Sequence, residues 1–402
     1  MINVAILGFG VVGGGVAELL TKNSDCVKNL GGDSVNIKYI LDLRDFPDSP
    51  FSERVVHDYN IILSDKEIDC VIEAMGGSHP AYEYTVAALK AGKSVITSNK
   101  EVVAGFGDEF LRLADENGVC YRFEAAVGGG IPVISPMISC VGQNRITEVR
   151  GILNGTTNYI LTKMFSFGAS FEESLKDAQE RGYAERNPDA DVLGTDACRK
   201  IAILTALASG RLIPTDKIHT EGITGIRKED VVAAAKVGLN IKLLGRCIFT
   251  DSGVQVMVAP FMIGSDSPLA SVSGVYNAVE VIGDPIGNVM FYGQGAGAGA
   301  TASAVVGDLM QIMRSGKNYA EPHWVKTDAG QMDFGDHKAR HYIALCGVKA
   351  EEIKAAFGSV QIISEGEEIA FITSEMKESL ALSVIDELST KGAVLRSRIR
   401  LI

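Results

Sequence analysis

The chain has 402 residues, more than one hydrophobic core ordinarily organises, so two or three domains are expected. Hydrophobic residues make up 46% and charged residues 22%, a composition typical of a folded globular protein and not of a disordered one. The net charge of −12 argues against nucleic acid or an anionic membrane as the main partner, because phosphate binding needs concentrated Lys and Arg.

Seven cysteines are scattered along the chain without a C-x-x-C pair, which indicates reduced thiols and not a disulfide framework or a zinc site. The N-terminus lacks the basic segment of a secretory signal, and no apolar run reaches the about 18 residues of a membrane span. We therefore expect a cytoplasmic protein without a membrane partner.

Short apolar runs alternate with helical patterns over the first third of the chain. The expected strands cover residues 3–7, 35–41, 70–74, 93–97 and 119–123, and the expected helices include 11–21, 81–91 and 102–117. This alternation predicts a doubly wound parallel sheet in an α/β domain over residues 1–131. In such a sheet the ligand crevice lies at the carboxyl ends of the strands.

The middle of the chain has a different texture, which predicts an α+β domain over residues 132–299. A glycine-rich segment, 293–300, precedes a predicted helix over 302–315. No clear apolar strand leads into this segment, so we expect a loop that closes over cofactor or substrate, with Gly297 at the cofactor. The helix is expected to pack on the first domain and to complete it over about 300–316. A linker over 317–340 follows.

The last part, residues 341–402, shows the order strand, helix, strand, strand, helix, strand. This order predicts a small ferredoxin-like domain.

A glycine-rich turn follows the first predicted strand and opens the first predicted helix. Its residues are Gly8, Phe9, Gly10, Val11, Val12 and Gly13. The first glycine permits a tight turn, the second lets the backbone approach a pyrophosphate, and the third allows close packing of helix on strand. This context predicts a Rossmann-type dinucleotide site.

Two residues after the second strand bear on the choice of cofactor. An acid at this position binds a ribose 2′-hydroxyl and favours NAD, whereas an arginine accepts the 2′-phosphate of NADP. Asp42 ends the strand and Arg44 lies two residues further on. The sequence therefore leaves NAD and NADP open.

Several further segments occur in an order that resembles the homoserine dehydrogenase family over about the first 310 residues. They are residues 73–80, 97–100, 124–132, 151–159, 182–188, 191–200 and 293–309. The resemblance implies NAD(P)-dependent interconversion of L-homoserine and L-aspartate 4-semialdehyde, in the biosynthesis of threonine, methionine and isoleucine. It also implies a homodimer or homotetramer.

The reaction needs a group that takes the hydroxyl proton, and a lysine serves if burial or neighbours lower its pKa. Asp196 and Lys200 are four residues apart on a predicted helix, a spacing that also fits a surface ion pair. The resemblance implies that Lys200 is the general acid–base, that Glu185 and Asp196 hold the substrate and that Asp191 supports the site. Its substrate motif also contains Gly182 and Tyr183.

Lys100 follows a predicted sheet strand, where ligands bind, although an isolated lysine there is more often solvated. The resemblance implies a second active-site lysine at this position, near nicotinamide and substrate. The neighbouring Ser98 and Asn99 are candidate hydrogen-bond donors to the cofactor.

The segment 124–132 contains one carboxylate among consecutive glycines, a combination that suits a hard cation or a hinge between domains. The resemblance implies a sodium ion held by Glu124 and by the carbonyl oxygens of Val127, Gly129 and Ile131. The two interpretations are compatible.

Many members of the family end in a regulatory domain of the ACT type, whose first loop carries an Asp-x-Pro-Gly signature. The corresponding loop here, residues 347–351, has neither Pro nor Gly in the expected place. We therefore expect an ACT-like domain and leave threonine feedback open.

Two alternatives remain open. One is another small amino-acid or semialdehyde dehydrogenase, although neither Cys140 nor Cys198 has the surroundings of an activated nucleophile. The other is a non-catalytic sensor of dinucleotide and amino acid.

Overall fold

The structure is a computed structural model that describes residues 1–315 and 322–402. The chain forms two compact units, and both are discontinuous in sequence. The first comprises Met1–Arg145, Ala202–Thr215 and Phe291–Asp328, and the second comprises Ile146–Ile201, Asp216–Met290 and Ala329–Ile402. The return of residues 202–215 to the first unit was not expected from sequence. The expected linker over 317–340 begins among residues outside the described ones.

Strands and helices alternate at first and then segregate. The strands are β1 Ile2–Leu7, β2 Val35–Leu41, β3 Val55–Val56, β4 Cys70–Glu73, β5 Ser94–Thr97, β6 Tyr121–Arg122, β7 Arg145–Ile152, β8 Arg211–Leu212, β9 His219–Thr220, β10 Leu239–Thr250, β11 Gly253–Gly264, β12 Tyr276–Asp284, β13 Gly287–Gln294, β14 Val325–Lys326, β15 Lys338–Cys346, β16 Val360–Ser364, β17 Glu368–Thr373, β18 Met376–Lys377 and β19 Val394–Leu401. The helices are α1 Val11–Lys22, α2 Ser24–Gly31, α3 Tyr59–Ser64, α4 Ala81–Lys90, α5 Lys100–Glu116, α6 Ala125–Gly128, α7 Ile134–Pro136, α8 Gly155–Phe167, α9 Phe171–Glu180, α10 Asp189–Val192, α11 Thr195–Ser209, α12 Lys228–Lys236, α13 Ala298–Ser315, α14 Ala350–Phe357 and α15 Glu378–Thr390.

The first unit contains a parallel sheet with the strand order β3-β2-β1-β4-β5-β6. Its central strands are buried because helices cover both faces, and they are accordingly continuous apolar runs. The chain leaves β1 for β2 on one side and later returns to β4 on the other. This reversal between β1 and β4 creates the crevice in which doubly wound sheets bind ligands. The predicted Rossmann-type architecture is confirmed.

Helix α13 packs against α1 in this unit. Gly15 lies on the contact face of α1, where an added Cβ would come within 3.2 Å of the Ala298 carbonyl oxygen and 3.3 Å of the Ala302 Cβ. Ala302 and Leu309 are fully buried in the core that this contact forms with the sheet. The small residues of the 293–302 segment thus let two helices approach closely.

Trp324 is buried in the first unit against α5. A Cβ at Gly107 of that helix would lie 2.7 Å from the indole Cζ3, so only a glycine fits beneath this ring. The ring of Phe123 meets the indole edge to face, with centroids 5.3 Å apart.

The second unit is built on a large mixed sheet with the order β13-β12-β7-β10-β11-β19-β15-β17-β16. Its core includes apolar side chains of β10 and β11, which pair along twelve residues from Leu239–Gly264 to Thr250–Gly253. The sheet continues without a break into the C-terminal part of the chain, because β19 pairs in parallel with β11.

The C-terminal part has the order β15, α14, β16, β17, α15, β19. Its strands pair in the antiparallel order β19-β15-β17-β16, which is the predicted ferredoxin-like arrangement. Residues of α14 and α15 form a core with one face of these strands. Among the described residues, no helix is long and apolar enough to cross a membrane.

Two local expectations were wrong. The helix expected over 102–117 begins earlier than predicted: β5 ends at Thr97 as expected, and Lys100 is already the first residue of α5. Asn99 starts this helix early because its side-chain oxygen accepts a hydrogen bond from the Glu101 amide, as an N-cap does. A strand, β13, does lead into the 293–300 segment; it belongs to the mixed sheet, and α13 begins already at Ala298.

Candidate active site

The glycine turn after β1 has the geometry that its sequence predicts. Gly8 has φ +89°, and a Cβ there would lie 2.9 Å from the Ala74 carbonyl oxygen. A Cβ at Gly13 would lie 2.0 Å from the Gly8 carbonyl oxygen, so the helix can sit on this turn only without a side chain. Gly10, the N-cap of α1, has open space around it and offers no side-chain cap. The first-turn amides of α1, at Val11 and Val12, are therefore available to an anion.

Asp42 is held in place by four hydrogen bonds. The Phe9 amide donates to Oδ2 at 2.8 Å, and the Arg44 amide donates to Oδ1 at 3.0 Å. The Arg44 guanidinium donates to both oxygens, at 3.0 and 3.1 Å. This guanidinium, together with the backbone amides, holds the pKa of Asp42 well below its usual range despite burial. The Asp42 side chain is 9% exposed, whereas that of Arg44 is 64% exposed.

The loops after β4 and β5 lie beside the glycine turn, because β1, β4 and β5 are neighbouring strands of the parallel sheet. Ser98 and Lys100 are half-buried, and Asn99 is buried. The Asn99 side chain also donates to the Gly77 carbonyl oxygen at 2.8 Å, which connects the two loops.

Glu124 is buried and serves as a cap for the segment that follows it. Its Oε1 accepts from the amides of Val133 and Ile134 at 2.7 and 2.8 Å, and its Oε2 accepts from the Ser135 amide at 2.7 Å. Within residues 1–315 and 322–402, no cluster of three or more His, Cys, Asp or Glu side chains is arranged to hold a metal ion. A site made of backbone carbonyl groups would not contain such a cluster.

The glycine-rich segment before α13 lies against residues 128–131. A Cβ at Gly129, which has φ +58°, would lie 2.4 Å from the Gly295 carbonyl oxygen. Gly297 has φ +114° and open space around it. The close approach of the two backbones explains why both segments are rich in glycine.

The second unit brings Asp191, Asp196 and Lys200 together around Asn154. The Asn154 amide group donates to Asp191 Oδ1 at 2.7 Å and to Asp196 Oδ2 at 2.9 Å. Lys200 Nζ donates to the same Asp196 oxygen at 2.9 Å and to the Leu153 carbonyl oxygen at 2.7 Å. Asp196 and Lys200 are only 5% and 7% exposed, so this is not a surface ion pair. Burial, followed by the charge of Asp196, raises the pKa of Asp191.

Asn154 was not singled out by the sequence, because an isolated asparagine carries no chemical signature. Its position before Gly-Thr-Thr at the start of α8 is the available signal. The side-chain oxygen of Asn154 accepts from the Thr157 amide at 2.9 Å, so Asn154 is the N-cap of α8 and at the same time connects two acids.

The segment 182–185 lies next to α8. Thr156 Oγ1 donates to the Tyr183 carbonyl oxygen at 2.7 Å, and the rings of Tyr159 and Tyr183 meet edge to face at 4.9 Å. Gly182 has φ +73°, which makes the turn into this segment. Glu185 is exposed, and its main-chain carbonyl oxygen accepts from Gln179.

The cysteines give no support to a thiol nucleophile. Cys198 is buried, and burial raises the pKa of its thiol, which disfavours the reactive thiolate. Cys140 is exposed and lies 3.4 Å from the Ser139 hydroxyl.

Comparisons with known proteins identify the family of this chain. The family model described as homoserine dehydrogenase, NAD binding domain, matches residues 8–124, and the model described as homoserine dehydrogenase matches residues 132–310. The homoserine dehydrogenase of Synechocystis sp. is 44% identical over 319 residues, which cover 78% of this chain and 73% of that protein.

Solved structures extend the likeness over the whole chain. The homoserine dehydrogenase from Thiobacillus denitrificans is similar with a TM-score of 0.90 at 34% identity, covering 100% of this chain and 98% of that one. A hyperthermophilic archaeal homoserine dehydrogenase in complex with NADPH is similar with a TM-score of 0.68 at 26% identity, covering 80% and 99%. The chain therefore belongs to the homoserine dehydrogenase family.

Proposed function

We propose a set of residues that perform the homoserine dehydrogenase reaction in this chain. The reaction is the NAD(P)-dependent interconversion of L-homoserine and L-aspartate 4-semialdehyde in amino-acid biosynthesis. The oxidation removes a hydride from the C4 carbon of homoserine and a proton from its C4 hydroxyl. Lys200 is the proposed acceptor of that proton, and it returns the proton when the aldehyde is reduced. The observation that carries the assignment is the buried contact of Lys200 with Asp196 and the Leu153 carbonyl oxygen.

The substrate ammonium group needs carboxylates, and the second unit supplies them. Glu185 and Asp196 are the proposed ligands, and Asp191 supports Asp196 through Asn154. Gly182 and Tyr183 are proposed to line the same site. Lys100, in the first unit, is proposed to act on the substrate beside the nicotinamide.

The dinucleotide is assigned to the first unit. The α1 turn from Gly8 to Gly13 would hold the pyrophosphate, because α1 begins at a glycine N-cap that offers its first-turn amides no side-chain partner. Ser98 and Asn99 would hold the nicotinamide half, and Gly297 would close over it. When bound, the cofactor supplies the site that accepts or donates the hydride.

We further propose that Arg44 receives a 2′-phosphate and that the chain uses NADP in preference to NAD. Asp42 accepts four hydrogen bonds, which is about as many as a carboxylate can accept. Its oxygens are therefore already bonded to Phe9 and Arg44. The exposed Arg44 guanidinium retains further N–H donors for a phosphate.

Replacing this arginine tests the preference. Arg44→Ala should weaken NADPH binding by at least about tenfold and NADH binding much less, because only NADPH loses a charged contact. Titration of reduced-cofactor fluorescence measures both, and Arg112→Ala, an exposed arginine on α5, is the control. An equal loss for both cofactors would contradict the assignment.

A sodium ion is proposed at Glu124 with the carbonyl oxygens of Val127, Gly129 and Ile131. Three amides already donate to this carboxylate, so about one of its four acceptor positions is left, on Oε2. The residues therefore fit a cation that is bound mainly by carbonyl oxygens. Equal activity with sodium or with choline as the only monovalent cation would count against this site.

The remaining assignments are proposals that follow from the family: a homodimer or homotetramer, a cytoplasmic location and an ACT-type C-terminal domain. The dispersed free cysteines of the described chain support a reducing compartment. The mass of the particle in solution tests the first assignment.

Lys200→Ala tests the proposed chemistry directly. The variant should lower kcat with L-homoserine by roughly 10²–10⁴-fold, as expected for a lost proton-transfer group, and should bind NADPH unchanged. Lys200→Arg should be equally slow, because arginine keeps the charge but does not release a proton at the pH of the assay. Lys176→Ala is the matched control, since Lys176 also has an acid four residues away but is 78% exposed. Unchanged kcat in Lys200→Ala would remove this residue from the mechanism, and cofactor binding without turnover in the unaltered chain would favour a sensor.

A further inference from the structure

Glu73 is a carboxyl group buried at the edge of the dinucleotide crevice. It is the last residue of β4, and its side chain is 0% exposed. In the parallel sheet it lies level with Leu7 at the end of β1 and with Thr97 at the end of β5. Because the chain reverses direction of travel across the sheet between β1 and β4, Glu73 lies where such sheets bind ligands.

The described hydrogen bonds of the Glu73 side chain are donated to its carboxylate oxygens. The Met75 amide donates to Oε1 at 2.7 Å, and the Thr97 hydroxyl donates to Oε2 at 2.5 Å. The Thr97 oxygen itself accepts from the Asn99 amide at 2.9 Å. The Met75 amide cannot accept a hydrogen bond, and a protonated Glu73 could donate to Thr97 only if that hydroxyl turned away from it, so this arrangement suits the ionised form.

These bonds tie together the two loops that follow β4 and β5. The Asn99 side chain donates to the Gly77 carbonyl oxygen at 2.8 Å, and the Ser78 hydroxyl donates to Glu101 Oε1 at 2.6 Å. Glu73 is a buried group whose carboxylate binds Met75 in the first loop and Thr97 immediately before the second, and the second loop leads directly into Lys100. A change at Glu73 therefore reaches both loops at once.

We propose that Glu73 is a positioning residue whose ionised form holds these two loops in the conformation that receives the dinucleotide. The inference rests on the proposed cofactor site and deepens it by making that site sensitive to pH.

The charge of Glu73 changes in the physiological range because two effects oppose each other. Burial raises the pKa of Glu73 to about 7, although the Thr97 hydroxyl, the Met75 amide and the Asn99 side chain act to lower it. The ionisable side chain of Tyr121 interacts with this carboxyl; burial followed by the charge of Glu73 keeps the pKa of Tyr121 well above its ordinary value, so Tyr121 stays neutral. Ionised Glu73 therefore predominates above pH 7, and dinucleotide affinity should rise with pH through that value.

The experiment is a titration of the whole chain with NADH, followed by NADH fluorescence, between pH 6 and 8.5. NADH is used because the 2′-phosphate of NADPH itself titrates near pH 6, as phosphate monoesters do. The affinity should increase at least about fivefold across the transition. Glu73→Gln should abolish the transition, and Thr97→Val should move its midpoint to higher pH, because the variant removes a hydrogen bond that lowers the pKa.

Thr85→Val is the control, because Thr85 is a buried threonine of α4 whose hydroxyl has no hydrogen-bond partner among the described residues. Its profile should match that of the unaltered chain. A Glu73→Gln profile that superposes on the unaltered one would overturn the proposal, as would an unshifted midpoint in Thr97→Val. The Thr97→Val result decides the matter if Glu73→Gln does not fold. If the unaltered chain bound neither NADH nor NADPH at any pH, that result would instead overturn the cofactor site itself.

Discussion

Asn154 shows how one uncharged side chain can organise a charged site. Its amide group donates to Asp191 and Asp196, and its oxygen caps α8. Two neighbouring carboxylates repel each other, and a shared donor between them offsets part of that repulsion. The same residue thus fixes the start of a helix and the spacing of the acids proposed to support and bind the substrate.

Replacing Asn154 by aspartate separates these two roles. The Asn154→Asp variant keeps a capping oxygen at the start of α8 but places a third carboxylate against the first two. We expect the KM for L-homoserine to rise and kcat to fall by about tenfold or more, which corresponds to about 1.4 kcal/mol or more of transition-state stabilisation. Steady-state kinetics at pH 8 measures both quantities.

The control for the helix cap is Asp58→Ala. Asp58 caps α3 through a hydrogen bond from the Asn60 amide, so its loss should cost about 1 kcal/mol of stability without changing KM. Activity of Asn154→Asp equal to that of the unaltered chain would show that Asn154 only caps the helix.

Residue identities were easier to predict than residue contacts. The resemblance pointed to Asp191, Asp196 and Lys200, and the structure brings their side chains together. The sequence could not indicate Asn154, because its importance depends on a turn and a helix that meet only after folding. It also could not indicate that Arg44 donates hydrogen bonds to the Asp42 carboxylate, because spacing alone does not say which neighbours donate to a carboxylate.

At the scale of elements, the strand–helix alternation of the first unit was predictable because buried parallel strands are continuous apolar runs. The start of α5 was missed because the N-cap Asn99 overrides the apolar pattern that begins at Val102. Strand β13 was missed because none of its residues is buried. Its positions alternate only between half-buried and exposed, and apolar residues occupy both kinds of position, so the sequence shows no alternation of polar and apolar residues.

Gly13 tests how strictly the α1 turn depends on close packing. Gly13→Ala would place a methyl group 2.0 Å from the Gly8 carbonyl oxygen, so the turn or the helix must move. We expect loss of at least about 1.4 kcal/mol of NADPH binding, a factor of ten in Kd, together with a lower melting temperature. Fluorescence titration and thermal unfolding measure the two effects.

Gly105→Ala on α5 is the matched control, because a Cβ there meets nothing within 4 Å. This substitution should raise stability by up to about 1 kcal/mol, as alanine does in helix interiors, and leave Kd unchanged. A Gly13→Ala variant that behaves in the same way would show that the close approach is not required for binding.

At the scale of the whole molecule, the mixed sheet of the second unit buries ionisable groups where its two parts join. Arg400 and Glu378 are fully buried and form an ion pair at 2.5 Å, and Arg400 also binds Glu221. His341 is fully buried in the same region, and its ring nitrogens have no hydrogen-bond partner among the described residues. Such buried charges need their partners, because an unpaired charge in this environment is strongly unfavourable.

The buried histidine predicts how stability depends on pH. Burial, with the charges of Arg398 and Arg400, lowers the pKa of His341 to about 4. The unfolded chain therefore binds this proton first as pH falls below about 6.5, and the folded state loses stability until about pH 4. His341→Leu should reduce the slope of unfolding free energy against pH by up to about 1.4 kcal/mol per pH unit in this window.

Urea unfolding at several pH values measures that slope. His79→Leu is the control, since His79 is 70% exposed, and its slope should match that of the unaltered chain. A His341→Leu slope indistinguishable from the unaltered one would mean that this histidine does not contribute to acid sensitivity.

The packing of the Trp324 indole against Gly107 has a practical consequence. This tryptophan is the only one in the chain, and it lies in the first unit. Its ultraviolet emission therefore reports on that unit alone, whereas circular dichroism averages over both. Indole emission also overlaps the absorption of a reduced nicotinamide, so binding should quench it by energy transfer. A spectrometer can thus follow unfolding of one half of the molecule, and occupancy of its ligand crevice, without any added label.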